Sequence, residues 1–134
     1  MNQSRLEIIL DLPAKILSPN APHGKHWGPK SRAIKSQRQA AGWATLAAMR
    51  EAKIKGPWKS ATVQATAVFT KKRVRDESNF NASLKSALDG IADAKLVAND
   101  TDLTLLPAIL VTDPNGEPYL KLVVTELTTT GAKE

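Results

Sequence analysis

The chain contains no cysteine. Disulfides and thiolate metal sites are therefore excluded, and the composition fits a reducing compartment. No apolar run approaches the ~20 residues of a membrane-spanning helix, so no membrane partner is expected. The first residues lack a basic segment followed by a long apolar run, and no secretory leader is expected. Acid is scarce: 13 Asp and Glu stand against 19 Lys and Arg, for a formal net charge of +6. That imbalance on a small domain points to a polyanionic partner, nucleic acid before a membrane surface. The alternative is a basic protein that binds neither. These absences together predict a soluble cytoplasmic protein.

What is present suits one domain, spanning residues 1–134, with its own core. Residues 6–12 alternate, with Leu6, Ile8, Leu10 and Leu12 on one face, and predict a strand that Pro13 ends. Residues 13–31 hold four prolines and two glycines and predict a long loop. From Lys25 to Arg38 there are five cations (Lys25, Lys30, Arg32, Lys35, Arg38) and no acid. This arm either contacts DNA, with Trp27 stacked on a base, or is a solvated loop whose Trp packs on the core.

Ser31 can cap a helix running to about Lys53, with Trp43, Leu46, Ala47, Arg50 and Ile54 as its buried stripe. Gly56-Pro57 closes it. Residues 61–70 alternate again, with Val63, Ala65, Ala67 and Phe69 on one face. Ser78 or Asn79 caps a second helix to about Lys95, with Phe80, Leu84, Leu88 and Ile91 as its apolar stripe. Residues 103–111 and 119–127 read as two strands joined into a hairpin by Asp113-Pro114-Asn115-Gly116. Pro107 puts the first of them at an edge or on a bulge. The tail, 128–134, is expected to fray. The predicted order is β-α-β-α-β-β: an α+β fold with a mixed sheet of about four strands and two helices.

The chemistry concentrates between Lys71 and Asp100. Lys71, Lys72, Arg73 and Arg75 precede Asp76 and Glu77; then come Lys85, Asp89 and Asp93, and finally Asp100. Cations able to hold backbone phosphates lie beside carboxylates able to hold a metal, as phosphodiester hydrolysis requires. Each residue also has a plainer reading. Asp and Asn before a helix are usually caps, and Lys and Asp four apart are usually a solvated pair.

The run Arg75-Asp76-Glu77-Ser78-Asn79-Phe80, followed by Lys85-Ser86-Ala87-Leu88-Asp89-Gly90-Ile91-Ala92-Asp93-Ala94 and then Asn99-Asp100, resembles the RusA family of Holliday-junction resolvases, in its phage and prophage branch. The resemblance covers residues 70–105. It implies a RusA-like fold and a homodimer acting on four-way junction DNA in recombination and repair. The implied activity is that of an endonuclease dependent on Mg²⁺, with Mn²⁺ as a substitute, that cuts by paired phosphodiester hydrolysis. On this resemblance Asp76 and Asp100 are the metal ligands and Lys85 contacts the scissile phosphate. From their charge and position, Lys71, Lys72, Arg73, Arg75, Lys25, Lys30 and Arg32 are expected to face DNA, and Ser78, Asn79, Asp89 and Asn99 to support the site. Two departures remove charge from the metal position: Ser78 and Asn99 stand where the family pattern has acids. The rival expectation is therefore a non-catalytic module that binds branched DNA, with a degenerate metal site.

Overall fold

The period-two stretches form the sheet. In the computed structural model, which describes residues 4–17, 27–72 and 77–127, β1 (Arg5–Leu10) and β2 (Ala61–Phe69) lie where alternation places them. Leu6 and Ile8 of β1, and Ala61, Val63, Ala65 and Ala67 of β2, are buried. Between the two strands runs α1 (Trp27–Ala52). After β2 come α2 (Glu77–Ala82), α3 (Lys85–Asp93), β3 (Leu103–Leu105), β4 (Ile109–Thr112) and β5 (Tyr119–Glu126). The result is an α+β domain whose mixed five-stranded sheet is not closed into a barrel. The sheet's inward residues join Ala41, Met49, Leu84, Ala87 and Ile91 of the helices in one core. Truncating a fully buried member such as Leu122 or Ile91 to alanine costs about 2–5 kcal/mol.

β2 is the organising strand. It pairs antiparallel with β5, which pairs antiparallel with β1. On its other edge β2 pairs in parallel with β3 and then β4. The expected hairpin does not form. The turn itself is present: the Gly116 N–H donates to the Asp113 carbonyl at 3.1 Å, and the Asp113 N–H to the Phe69 carbonyl at 2.7 Å. It carries the chain across the end of β2, so β4 and β5 lie on opposite edges of that strand. A turn sequence fixes the reversal but not whether a third strand separates the two arms.

Pro107 acts as expected of an edge proline. Four steps from Leu105 to Ile109 face three from Val63 to Thr66, so one extra residue splits the edge strand into β3 and β4. The Gln64 side chain donates to the Pro107 carbonyl at 2.6 Å, and the Asn81 amide to the Leu106 carbonyl at 2.9 Å.

Both helices depart from expectation. α1 starts at Trp27 rather than Ser31, with Pro29 in its first turn, where a missing N–H is no loss. Its end agrees: Lys53 is left-handed and the Ile54 N–H reaches back to the Met49 carbonyl at 2.9 Å. The second helix is two. The Ser83 hydroxyl donates to the Phe80 carbonyl, and the Ser83 and Leu84 N–H groups reach only three residues back, which ends α2 before α3 begins.

The buried stripe of α1 also differs. Trp43 is 72% exposed, and Leu46 and Arg50 are exposed with it. The inward stripe is Ala41, Thr45 and Met49. Small residues face α3 because the helices cross closely. A Cβ on Gly90 would lie 2.3 Å from the Arg38 carbonyl oxygen and 2.9 Å from the Ala41 Cβ, and one on Gly42 would lie 3.4 Å from the Gly90 oxygen. Large side chains on α1 therefore turn outward at this level.

Candidate functional site

Lys85 opens α3, and Asp89 stands one turn further along it. Asp100 starts a short 3-10 turn just before β3. The fold brings the three together: Lys85 Nζ lies 2.8 Å from Asp89 Oδ1 and 2.7 Å from Asp100 Oδ2. Hydrogen bonds to Asp100 first, and to Asp89 second, raise the Lys85 ammonium above its ordinary range. The same bond from Lys85 holds the Asp100 carboxyl below its ordinary range. Asp102 points elsewhere, its Oδ2 accepting from the Asn99 N–H at 3.1 Å.

This geometry corrects the expected metal centre. Among the described residues no group of three or more His, Asp or Glu could hold a metal ion. The two carboxylates that do meet share one ammonium, which sits between them where a divalent cation would need to bind. The neutral side chains of Ser78 and Asn99 add no charge in place of the missing acids. A cation that prefers several oxygen ligands would have to displace Lys85 and, among the described residues, would meet only those two carboxylates there. The residues do not fit Mg²⁺ or Mn²⁺, and the expectation of a metal-dependent endonuclease, with its hydrolase and nuclease character, is overturned. Asp76, the other expected ligand, lies outside the described residues, as do Lys25, Arg73, Arg75 and the 128–134 tail.

The expected DNA-facing cations within the described residues gather at one end of the domain. Lys30 and Lys85 line an open cleft of about 300 Å³ with Ile34, Ser86 and Asp89. The N-terminal half of α1 lies beside the end of β1, because Ala33, Ser36 and Gln37 share a second cleft with Leu10 and Leu12. Leu10 pairs with Leu120, which pairs with Ala67, so this is also the end of β2 from which Lys71 and Lys72 emerge. Both of those lysines are exposed. Arg32 and Lys35 lie exposed on α1. Ser78 is exposed and Asn79 half-buried on α2.

Three contacts escaped the sequence reading. Arg38 grips Asp93 with a fork, Nε to Oδ2 at 2.6 Å and Nη2 to Oδ1 at 2.9 Å. The hydrogen bond from Arg38 holds the Asp93 carboxyl below its usual range. The Gln37 carbonyl oxygen accepts from the Ser86 hydroxyl and, at 3.1 Å, from the Ala87 N–H. It thereby caps α3, whose own N-cap, Leu84, has no polar side chain. The signal for all three was the small-residue crossing at Gly42 and Gly90, which fixes the phase of α1 and turns Gln37 and Arg38 toward α3.

No protein-family model matches this chain, and no curated protein matches it. Among the described residues no helix is long and apolar enough to cross a membrane.

Proposed function

We propose that this chain is a non-catalytic module that binds branched or duplex DNA through a basic surface, on a RusA-like scaffold whose metal site has degenerated. One observation carries the reading. From Trp27 to Arg50 the chain holds five cations and no acid. Of these, Arg32, Lys35 and Arg50 are exposed and, among the described residues, enter no ion pair. Unpaired cations on a rigid helix suit a phosphate backbone, whose neutralisation releases counterions and drives binding. Lys71 and Lys72, exposed past the end of β2, and Lys30, in the cleft beside Lys85, add positive charge at one end of the domain, and in sequence Lys25, Arg73 and Arg75 continue it.

The run from Arg75 to Asp100 supports a junction as the target, through its resemblance to the RusA family. The Lys85 cluster supports binding without chemistry: Lys85 is held by Asp89 and Asp100, and Ser78, Asn79 and Asn99 belong to the scaffold. A twofold homodimer would present the basic surface to both halves of a four-way junction. A cytoplasmic location accords with a DNA partner.

The test is fluorescence anisotropy of labelled four-way junction and labelled duplex across a salt series. The reading expects binding whose affinity falls steeply with salt, and it fails if neither DNA binds at 50 mM salt. Four-way junction binding no tighter than duplex binding would retain the basic surface and remove the junction.

A further inference from the structure

The outer face of α1 carries more than charge. Arg32, Lys35, Gln39, Trp43, Leu46 and Arg50 follow one another at steps of three and four, so they form one stripe. All six are exposed. At ~1.5 Å per residue the stripe is about 27 Å long. Trp43 stands near its middle with 72% of its surface in solvent, the most exposed large hydrophobic side chain among the described residues. It is held on the rigid interior of the helix. Inward packing of Trp43 is barred because the opposite face is the close crossing of Gly42 with Gly90.

We propose that Trp43 is a stacking platform for an unpaired base, and that the stripe tracks a single strand of nucleic acid. The inference rests on the DNA-binding reading and deepens it, by naming the strand state that this face takes. The charge pattern selects the occupant. Three cations flank Trp43 along the stripe, and no acid lies on α1 before Glu51. An indole face accepts any base, while Arg and Lys on either side hold the phosphates that follow it. Paired bases are stacked on each other and offer no free face, so a duplex engages the cations but not the indole.

The experiment measures anisotropy of labelled oligo(dT) and labelled duplex with the full chain and with Trp43→Ala and Trp43→Phe. Circular dichroism of each variant checks that α1 is intact. The proposal expects Trp43→Ala to weaken oligo(dT) binding about tenfold, Trp43→Phe to restore most of the loss, and duplex binding to change less than twofold. Wild-type affinity of Trp43→Ala for oligo(dT), or an equal loss on duplex, overturns it. Failure of the parent chain to bind either DNA removes the DNA-binding reading as well, whereas duplex binding without oligo(dT) binding removes the stacking proposal alone. Sedimentation of the same proteins tests a rival occupant: a dimer lost in Trp43→Ala would assign the face to a second copy and overturn the proposal.

Discussion

The two faces of α1 are built from the same residue types and behave differently. On the inner side, Arg38 is locked to Asp93 and Gln37 to the start of α3, around a crossing so close that a Cβ on Gly90 would strike the Arg38 carbonyl and Ala41. On the outer side, Arg32, Lys35 and Arg50 have no carboxylate partner among the described residues, and Trp43 stands in solvent. A cation already gripping a carboxylate is a poor ligand for phosphate, since binding DNA would break one charge-assisted bond to make another. Lys85 belongs with Arg38 in this respect, although the family resemblance implies that it contacts the scissile phosphate. What a basic residue does here is decided by its helical phase, not by its charge.

The largest test of this contrast is steric. Gly90→Val places a branched side chain against the Arg38 carbonyl and Ala41, and should lower the urea-unfolding free energy by about 3 kcal/mol. Trp43→Ala, on the outer face, should change it by less than about 0.5 kcal/mol. Comparable losses from both would mean that Trp43 is packed in solution.

Affinity comes next. The double variant Arg32→Ala, Lys35→Ala should weaken duplex binding about tenfold near 0.1 M salt and flatten the salt slope by about two. Lys85→Ala should leave the affinity within about threefold, because that ammonium is already held by Asp89 and Asp100. Anisotropy titrations decide it, and a larger loss from Lys85→Ala would reverse the assignment of the two sets.

A smaller effect isolates the cap. Gln37→Ala removes the acceptor of the Ser86 hydroxyl and the Ala87 N–H, and should cost about 1 kcal/mol in denaturant unfolding. The smallest is a pH effect. Because Arg38 depresses the Asp93 carboxyl, the pair's contribution is full above the ordinary carboxylate range and is lost as pH falls through the lowered value. The melting-temperature gap between the parent and Asp93→Asn should be constant above the ordinary carboxylate range and close as pH falls through the lowered value. The Lys85–Asp100 pair is lost at both ends: its contribution fades as pH rises through the raised lysine value and, because Asp100 is depressed by the same bond, as pH falls through the lowered carboxylate value.

Much of this was legible in the residues. The alternation of β1 and β2 and the breaks at Gly56-Pro57 and Pro107 fall where local chemistry places them, because each depends on a few neighbouring residues. The stripe of α1 was not legible by its large side chains. Trp43 and Leu46 read as core because size normally marks burial, but the Gly90 crossing admits only small residues and so reverses the phase. The hairpin failed for a related reason: pairing across β2 is a long-range choice that the turn does not encode. At the site, the Lys85–Asp89 pair was visible in the spacing. That Asp100 closes on the same ammonium depends on the path from α3 to β3, and it converts an expected metal ligand into an ion-pair partner.

The measurement that bears most directly on the central claim is incubation of the full chain with an end-labelled four-way junction, in Mg²⁺ and in EDTA at matched ionic strength, read by native and denaturing gels. The account predicts a retarded complex and intact strands under both conditions. Nicks that appear in Mg²⁺ and vanish in EDTA, or the lack of any complex, would contradict it.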